Sequence, residues 1–209
     1  LHSVVRRQRQ MCIRDSSDLQ DGHRVMVSGF GGAGTPHDLM KGLDRIGARG
    51  LTLIINSLRH LHTAAPSLFA EGRVVHAVCS AARGRGRDPA PYEAQAEAGT
   101  LNVEVVPQGT FAERIRAGGA GIPAFYVPAG VGTGLARGKE TREFEGVEYV
   151  LEHALNADFA FLRGATADLL GNVSFRGTQA NFGPAMASAA RIAVCLLYTS
   201  DAADERQSV

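Results

Sequence analysis

The segment Gly29-Phe30-Gly31-Gly32-Ala33-Gly34 concentrates residues whose type and spacing can do chemistry. It satisfies G-x-G-x-x-G between an apolar run, Arg24–Val27, and a helical pattern that begins near Pro36. Residues without a Cβ let backbone N–H groups come close to an anion, and the start of the following helix adds positive potential. The chemistry on offer is the binding of a phosphate or carboxylate. A nicotinamide site would also want an acidic residue after the second strand to hold the ribose hydroxyls, and the run Leu51–Ile55 is followed by Asn56-Ser57. A nucleotide-hydrolysing P-loop would want Gly-Lys-Ser/Thr, and none follows Gly34.

Other residues compete for attention. Gly118-Gly119-Ala120-Gly121 either lines a cleft as a mobile glycine loop or caps a helix before a turn. Arg83-Gly84-Arg85-Gly86-Arg87 could grip phosphates, although a solvated surface loop is the plainer reading. His60-x-His62 would share a face if extended, but no third ligand accompanies it, so no metal site is assigned. Glu97-Ala98-Gly99 ends a polar helical stretch and Glu145-Gly146 reads as a hairpin turn, so neither offers a good carboxylate nucleophile. Cys79 lies in an apolar run and reads as a buried, inert thiol.

The elements that must position these residues alternate along the chain. Apolar runs at Arg24–Val27, Leu51–Ile55 and residues 73–79, 102–106, 125–127, 158–162 and 191–194 read as buried strands separated by helical patterns. That order predicts an α/β fold, a mostly parallel Rossmann-like sheet flanked by helices in a single domain. Leu39, Met40, Leu43 and Ile46 recur at helical spacing, with Thr35-x-x-Asp38 as a capping box, Pro36 at the first helical position, and Gly47 or Gly50 to stop the helix. A second box, Thr110-x-x-Glu113, predicts a short helix through Ile115. Residues 141–151 read as a hairpin around Gly146.

Composition bounds the class. The chain has 209 residues, 44% of them apolar, enough for one substantial core. Lys and Arg total 22 against 21 Asp and Glu, which supplies no broad basic surface for a nucleic-acid partner. No run of about 18 apolar residues is present to span a membrane. Three scattered cysteines form no disulfide framework, which fits a reducing, cytoplasmic compartment.

A longer pattern encloses the glycine loop. Asp21-Gly22-x-x-Val25-Met26-Val27-Ser28-Gly29-Phe30-x-x-x-Gly34-x-Pro36 resembles the first signature of family I coenzyme A transferases, with Ser28 where that signature usually has glycine. Further matches follow in the same order. They are Leu51-Thr52-Leu53-Ile54, Val106-Pro107-Gln108-Gly109-Thr110, Gly118-Gly119-Ala120-Gly121-Ile122-Pro123-Ala124-Phe125, Gly130-Val131-Gly132-Thr133, Gly171-Asn172, and Asn181-Phe182 with Pro184. They are similar to the α subunit of 3-oxoacid and acetate-type transferases.

The resemblance implies an architecture shared with sugar-phosphate isomerases and an exchange of coenzyme A between an acyl-CoA and a short-chain carboxylate. In that family the β subunit carries a glutamate that attacks the thioester, passes through an anhydride and becomes a glutamyl-CoA thioester, so one difficult exchange is divided into easier steps. The glutamate stands in Glu-Asn-Gly, a sequence this chain lacks. The implied role is therefore binding. Ser28, Gly29, Phe30, Gly31, Gly32, Ala33 and Gly34 are expected to face coenzyme A or the acyl group, with Gly118, Gly119, Ala120 and Gly121 as a second cleft segment. No catalytic residue, no metal and no bound cofactor is expected on this chain, and a β subunit is the expected partner. The alternative is a nicotinamide-binding oxidoreductase domain.

Both ends stand apart from residues 18–194, the expected transferase domain, itself read as cut short at its C-terminal end. Writing Asp201-Ala202-Ala203-Asp204 as GAC GCT GCC GAC and reading the reverse complement in a shifted frame yields Arg-Gln-Arg, as in Arg7-Gln8-Arg9. Residues 1–17 and 195–209 thus read as translations of one sequencing adapter on opposite strands, and both are expected to pack poorly.

Overall fold

The computed structural model describes residues 18–84, 86–168 and 170–197. Six strands, β1 (Arg24–Val27), β2 (Leu51–Ile55), β3 (Val74–Cys79), β4 (Asn102–Val105), β8 (Ala157–Gly164) and β11 (Ala190–Leu197), form one sheet in the order β11-β8-β1-β2-β3-β4. Every pairing in it is parallel. A parallel sheet needs helices on both faces. On one face α1 (His37–Ile46), α2 (Leu58–Ala64), α3 (Pro66–Ala70) and α4 (Pro91–Glu97) enclose Val25, Val27, Leu53, Ile55, Phe159 and Phe161. On the other, α5 (Gln108–Ala120) and α6 (Gly183–Ala189) enclose Met26, Ile54, Val78, Ala160 and Leu162. Val25 and Val27 turn one way and Met26 the other, the period-two alternation of a strand covered on both sides.

A smaller antiparallel sheet, β5 (Ala124–Val127), β7 (Val147–His153) and β6 (Thr141–Phe144), stands beside the main one. Its hairpin is the one expected, turning at Glu145 (φ 52°) and Gly146 (φ 77°). The run at 125–127 is not a buried strand of the parallel sheet. All four β5 residues are only half-buried, and the hairpin that follows supplies the nearer partner. A short hairpin of β9 (Thr166–Ala167) and β10 (Val173–Ser174) completes the strands.

Three local expectations are corrected. Neither capping box forms. At α1 the N-cap is Pro36 without a side-chain bond, because Thr35 is buried against the glycine loop. At α5 the N-cap is Pro107, so Thr110 already lies inside the helix and is buried. Finally, β11 continues to Leu197, which pairs with Gly164, while Cys195 and Leu196 pack against the two cores. Residues 195–197 are thus part of the sheet, three past the boundary drawn at Val194, whereas 1–17 and 198–209 lie outside the described residues. Among the described residues no helix is long and apolar enough to cross a membrane.

Candidate functional site

The main sheet reverses its winding beside β1. From β1 the chain steps outward through β2, β3 and β4, then returns to place β8 on the other side of β1. The segment leaving β1 leads to α1 on one face, and the segment leaving β8 leads to α6 on the other. Between diverging connections at the carboxyl ends of parallel strands, a crevice forms without further design. The glycine loop lies in it.

The loop is a closed turn rather than an open cradle. Phe30 N–H donates to Ala33 O (3.0 Å) and Ala33 N–H to Phe30 O (2.9 Å). Gly31 and Gly32 at the tip have φ of 58° and 93°, a left-handed pair that other residues adopt only with strain. A Cβ on either would meet nothing within 4 Å, so the tip is open. Gly29 and Gly34 are different, because a Cβ on the first would sit 2.3 Å from Thr35 Oγ1 and on the second 2.6 Å from Gln179 O. Ser28 is buried, its N–H donating to Phe161 O (3.0 Å) and its Oγ to Gly34 O (2.8 Å). Its φ is not positive, so a side chain in place of the usual glycine is tolerated, and its hydroxyl braces the loop.

The part that sequence reasoning missed is Asn181. Its Oδ1 accepts from Gly29 N–H (3.2 Å) and Phe182 N–H (2.7 Å), and its Nδ2 donates to Ala33 O (3.0 Å) and Thr178 O (2.8 Å). An amide side chain has two donors and two acceptor positions, and here all are used. Asn181 therefore ties the loop after β1 to the segment after β8. The only sequence signal was its place in a family-like Asn-Phe pair, which says nothing of a partner some 150 residues away.

Phe30, Gln108, Gly109, Ala112, Asn181 and Phe182 line an open cleft of about 380 Å³. Phe30 is 48% exposed, and behind it Phe182 meets Phe111 edge to face at 5.3 Å. Gln108 begins α5, and its Nε2 donates to Oδ1 of the buried Asn56 (3.0 Å) at the end of β2. Asn56 is anchored in turn, its carbonyl accepting from Ser80 N–H (3.1 Å) and Ala81 N–H (3.0 Å). Thus the residue standing where a dehydrogenase needs an acid positions a cleft amide instead. None of the six lining residues titrates. The cleft can bind and orient a polar carbonyl-bearing group, but it has no nucleophile of its own.

Residues 118–121 are not a loop and do not join this cleft. α5 runs through Ala120 and only Gly121, the left-handed C-cap at φ 73°, lies beyond it. A Cβ on Gly118 would lie 2.1 Å from Leu155 O, and one on Gly119 would lie 2.2 Å from Ser188 Oγ. These glycines admit the neighbouring backbone and α6, about 15 Å along the helix from Gly109. The remaining candidates also separate. His60 and His62 lie on helix α2 rather than an extended strand, and no cluster able to hold a metal occurs among the described residues. Arg83 and Arg87 are exposed and Arg85 lies outside the described residues. Cys79 is buried, and desolvation pushes its thiol up to about 11, consistent with an inert core group.

The Coenzyme A transferase family profile matches residues 10–198. The chain belongs to the coenzyme A transferase family. It is 46% identical over 176 residues to the A-type subunit of 3-oxoadipate CoA-transferase from Pseudomonas putida, covering 84% of this chain and 75% of that one. It is also 46% identical over 176 residues to the A-type subunit of succinyl-CoA:3-ketoacid coenzyme A transferase from Xanthomonas campestris pv. campestris, covering 84% and 71%. Among solved structures, glutaconate coenzyme A-transferase from Acidaminococcus fermentans shares the fold at a TM-score of 0.73 and 19% identity, over 93% of this chain and 68% of that one. The nicotinamide alternative has no support in these likenesses or in the Asn56 position. This coenzyme A transferase chain is of the same A type as these two relatives, and coenzyme A and its thioesters are the family's substrates.

Proposed function

We propose that this subunit binds and orients the acyl-CoA while a partner subunit supplies the glutamate that exchanges coenzyme A between succinyl-CoA or a similar donor and a short 3-oxo carboxylate. The observation that carries this reading is the non-titrating cleft at the switch point of a transferase fold. Phe30 and the open glycine tip offer a surface for the thioester arm, and Gln108, held by Asn56, offers an amide to a carbonyl oxygen. The incoming glutamate carboxylate attacks the thioester carbon and expels the CoA thiolate, leaving a mixed anhydride. The thiolate then attacks the glutamyl carbonyl, releases the donor acid and forms the glutamyl-CoA thioester, which the acceptor acid consumes by the reverse sequence. An amide donor aimed at the oxygen that gains charge in these steps would stabilise it. The names of the relatives support 3-oxo acids as acceptors.

The test is an exchange assay between an acyl-CoA and a free carboxylate, run on the chain alone and after reconstitution with a cognate subunit. Borohydride would trap any glutamyl-CoA thioester. Turnover only in the reconstituted enzyme, with the trapped residue on the partner, is expected. A trapped glutamate on this chain and turnover without a partner would overturn the assignment.

A further inference from the structure

The β6–β7 hairpin outgrows the sheet it belongs to. β5 pairs with β7 only from Val150 to His153, whereas β6 pairs with it from Val150 outward to the turn at Glu145 and Gly146. Val147 thus stands three residues beyond the last β5 pairing, about 10 Å at ~3.3 Å each. Residues 140–148 are all exposed. A two-stranded hairpin is marginal in water by itself, and this one shows Phe144 and Val147 to solvent at 42% and 48% exposure. Its base, by contrast, is fixed. Leu151 N–H donates to Glu140 O (2.8 Å), and buried Glu152 is held by Lys139 (2.6 Å) and by Arg114 of α5 (3.5 Å). Gln108 of the cleft begins that same helix, six residues or about 9 Å along it from Arg114.

The two faces of this arm differ in chemistry. The register puts Arg142, Phe144, Val147 and Tyr149 on one face, together with Tyr126 and Leu151. There Phe144 meets Tyr126 at 5.3 Å and Tyr149 at 5.5 Å, Arg142 lies over the Tyr126 ring at 5.6 Å, and the Tyr126 hydroxyl donates to Glu140. Tyrosine, phenylalanine and arginine are the residues in which interface cores are enriched. The other face sets Glu143 directly opposite Glu148, a like-charge pair that weakens a hairpin standing alone. Among the described residues neither carboxylate has a cation partner. With Glu140 and Glu145 they face a single cation, Arg142, within residues 140–149, although the whole chain has 22 basic and 21 acidic residues. Charge decides the occupant. Two copies meeting through their arms would crowd these carboxylates against each other, whereas a basic surface on a different chain relieves the Glu143–Glu148 repulsion. We infer that the arm docks the glutamate-bearing partner subunit, which takes the aromatic face in an apolar depression and the Glu143–Glu148 face on basic side chains. The inference rests on the two-subunit reading above.

Calorimetric titration of this chain with its cognate partner subunit tests it. Phe144→Ala with Val147→Ser should raise Kd about tenfold or more, as the loss of an interface anchor does. Glu143→Gln with Glu148→Gln should raise it about threefold or more, most at low salt. The second pair guards against a folding artefact. It removes a repulsion, so the urea midpoint of the free chain should hold or rise while association weakens. Light scattering should find the chain alone monomeric at the concentrations titrated. Parent-like Kd in both variants would overturn the docking surface, as would a self-associated chain that the Phe144 and Val147 changes dissociate, since a second copy would then be the occupant. Failure of the parent to bind the partner at all would overturn both readings. Tight, arm-dependent binding without acyl-CoA exchange would sink the transferase reading alone, and full exchange with parent-like Kd in both variants would sink the arm alone.

Discussion

The two glycine-rich segments look alike as text and do opposite work. Residues 29–34 use glycine for backbone angles, with four positive φ values at Gly29, Gly31, Gly32 and Gly34 and a tip that touches nothing. Gly118 and Gly119 have ordinary helical angles and use the missing Cβ for space, because Leu155 O and Ser188 occupy the place a side chain would take. The difference teaches that a glycine run reports a local demand without naming it. One segment leaves its tip open, and the other hides its backbone between a helix and its neighbours.

Breaking the packed segment should have the largest effect. Gly118→Leu must displace backbone at Leu155, not a flexible side chain, and should cost ~3 kcal/mol or more in a urea unfolding series. Parent-like stability would mean that this end of α5 is looser than described. Next comes the clamp on the exposed segment. Asn181→Ala removes four hydrogen bonds and should cost ~2–3 kcal/mol, together with a raised KM for acyl-CoA. Lost stability with an unchanged KM would reduce Asn181 to a structural brace. Gly31→Val should sharpen the contrast, costing only ~1–2 kcal/mol for its left-handed angle yet weakening acyl-CoA binding. Unaltered affinity with an intact fold would remove the loop tip from the site.

Cys79 supplies the smallest effect and a reporter for the others. Burial raises its pKa from 9.0 to about 11, so the folded state holds the proton more tightly than the unfolded chain. Its contribution to stability is whole below pH 9 and declines as pH rises toward 11. Peptide mapping after iodoacetamide at pH 8 should find Cys79 unlabelled in the parent and in Gly31→Val, and labelled in Gly118→Leu near its unfolding midpoint. Equal labelling in all three would show that the two glycine segments do not differ in their hold on the core.

Much of this was legible in the chain itself. β1 and β2 fall where the apolar runs end, α1 stops at Gly47 with φ 79°, and the hairpin turns at Gly146, because in each case residues a few positions apart settle the outcome. The two capping boxes failed for a physical reason. Thr35 and Thr110 are buried by distant packing, which outweighs a bond available locally. The glycine loop was legible as a site candidate, whereas Asn181, the Asn56 to Gln108 pair and the Arg114 network were not.

That network shows the limit most plainly. Arg114 of α5 pairs with Glu104 on β4 and with buried Glu152 on β7 (3.5 Å), donates to His153 O (2.6 Å), and Lys139 completes it at Glu152 (2.6 Å). It fastens the small sheet to the main one, yet its members are spread from 104 to 153 and share no motif. By itself the sequence determined the strands of the main sheet, their order, the stop of α1 at Gly47 and the turn at the loop, since these depend on backbone sterics and periodicity over a few residues, whereas α5 runs to Ala120, past the stop expected at Ile115. Tertiary structure alone decided which glycines face solvent, which threonines are buried, where β5 pairs, and which amide holds the crevice, because each depends on what a distant segment brings against it.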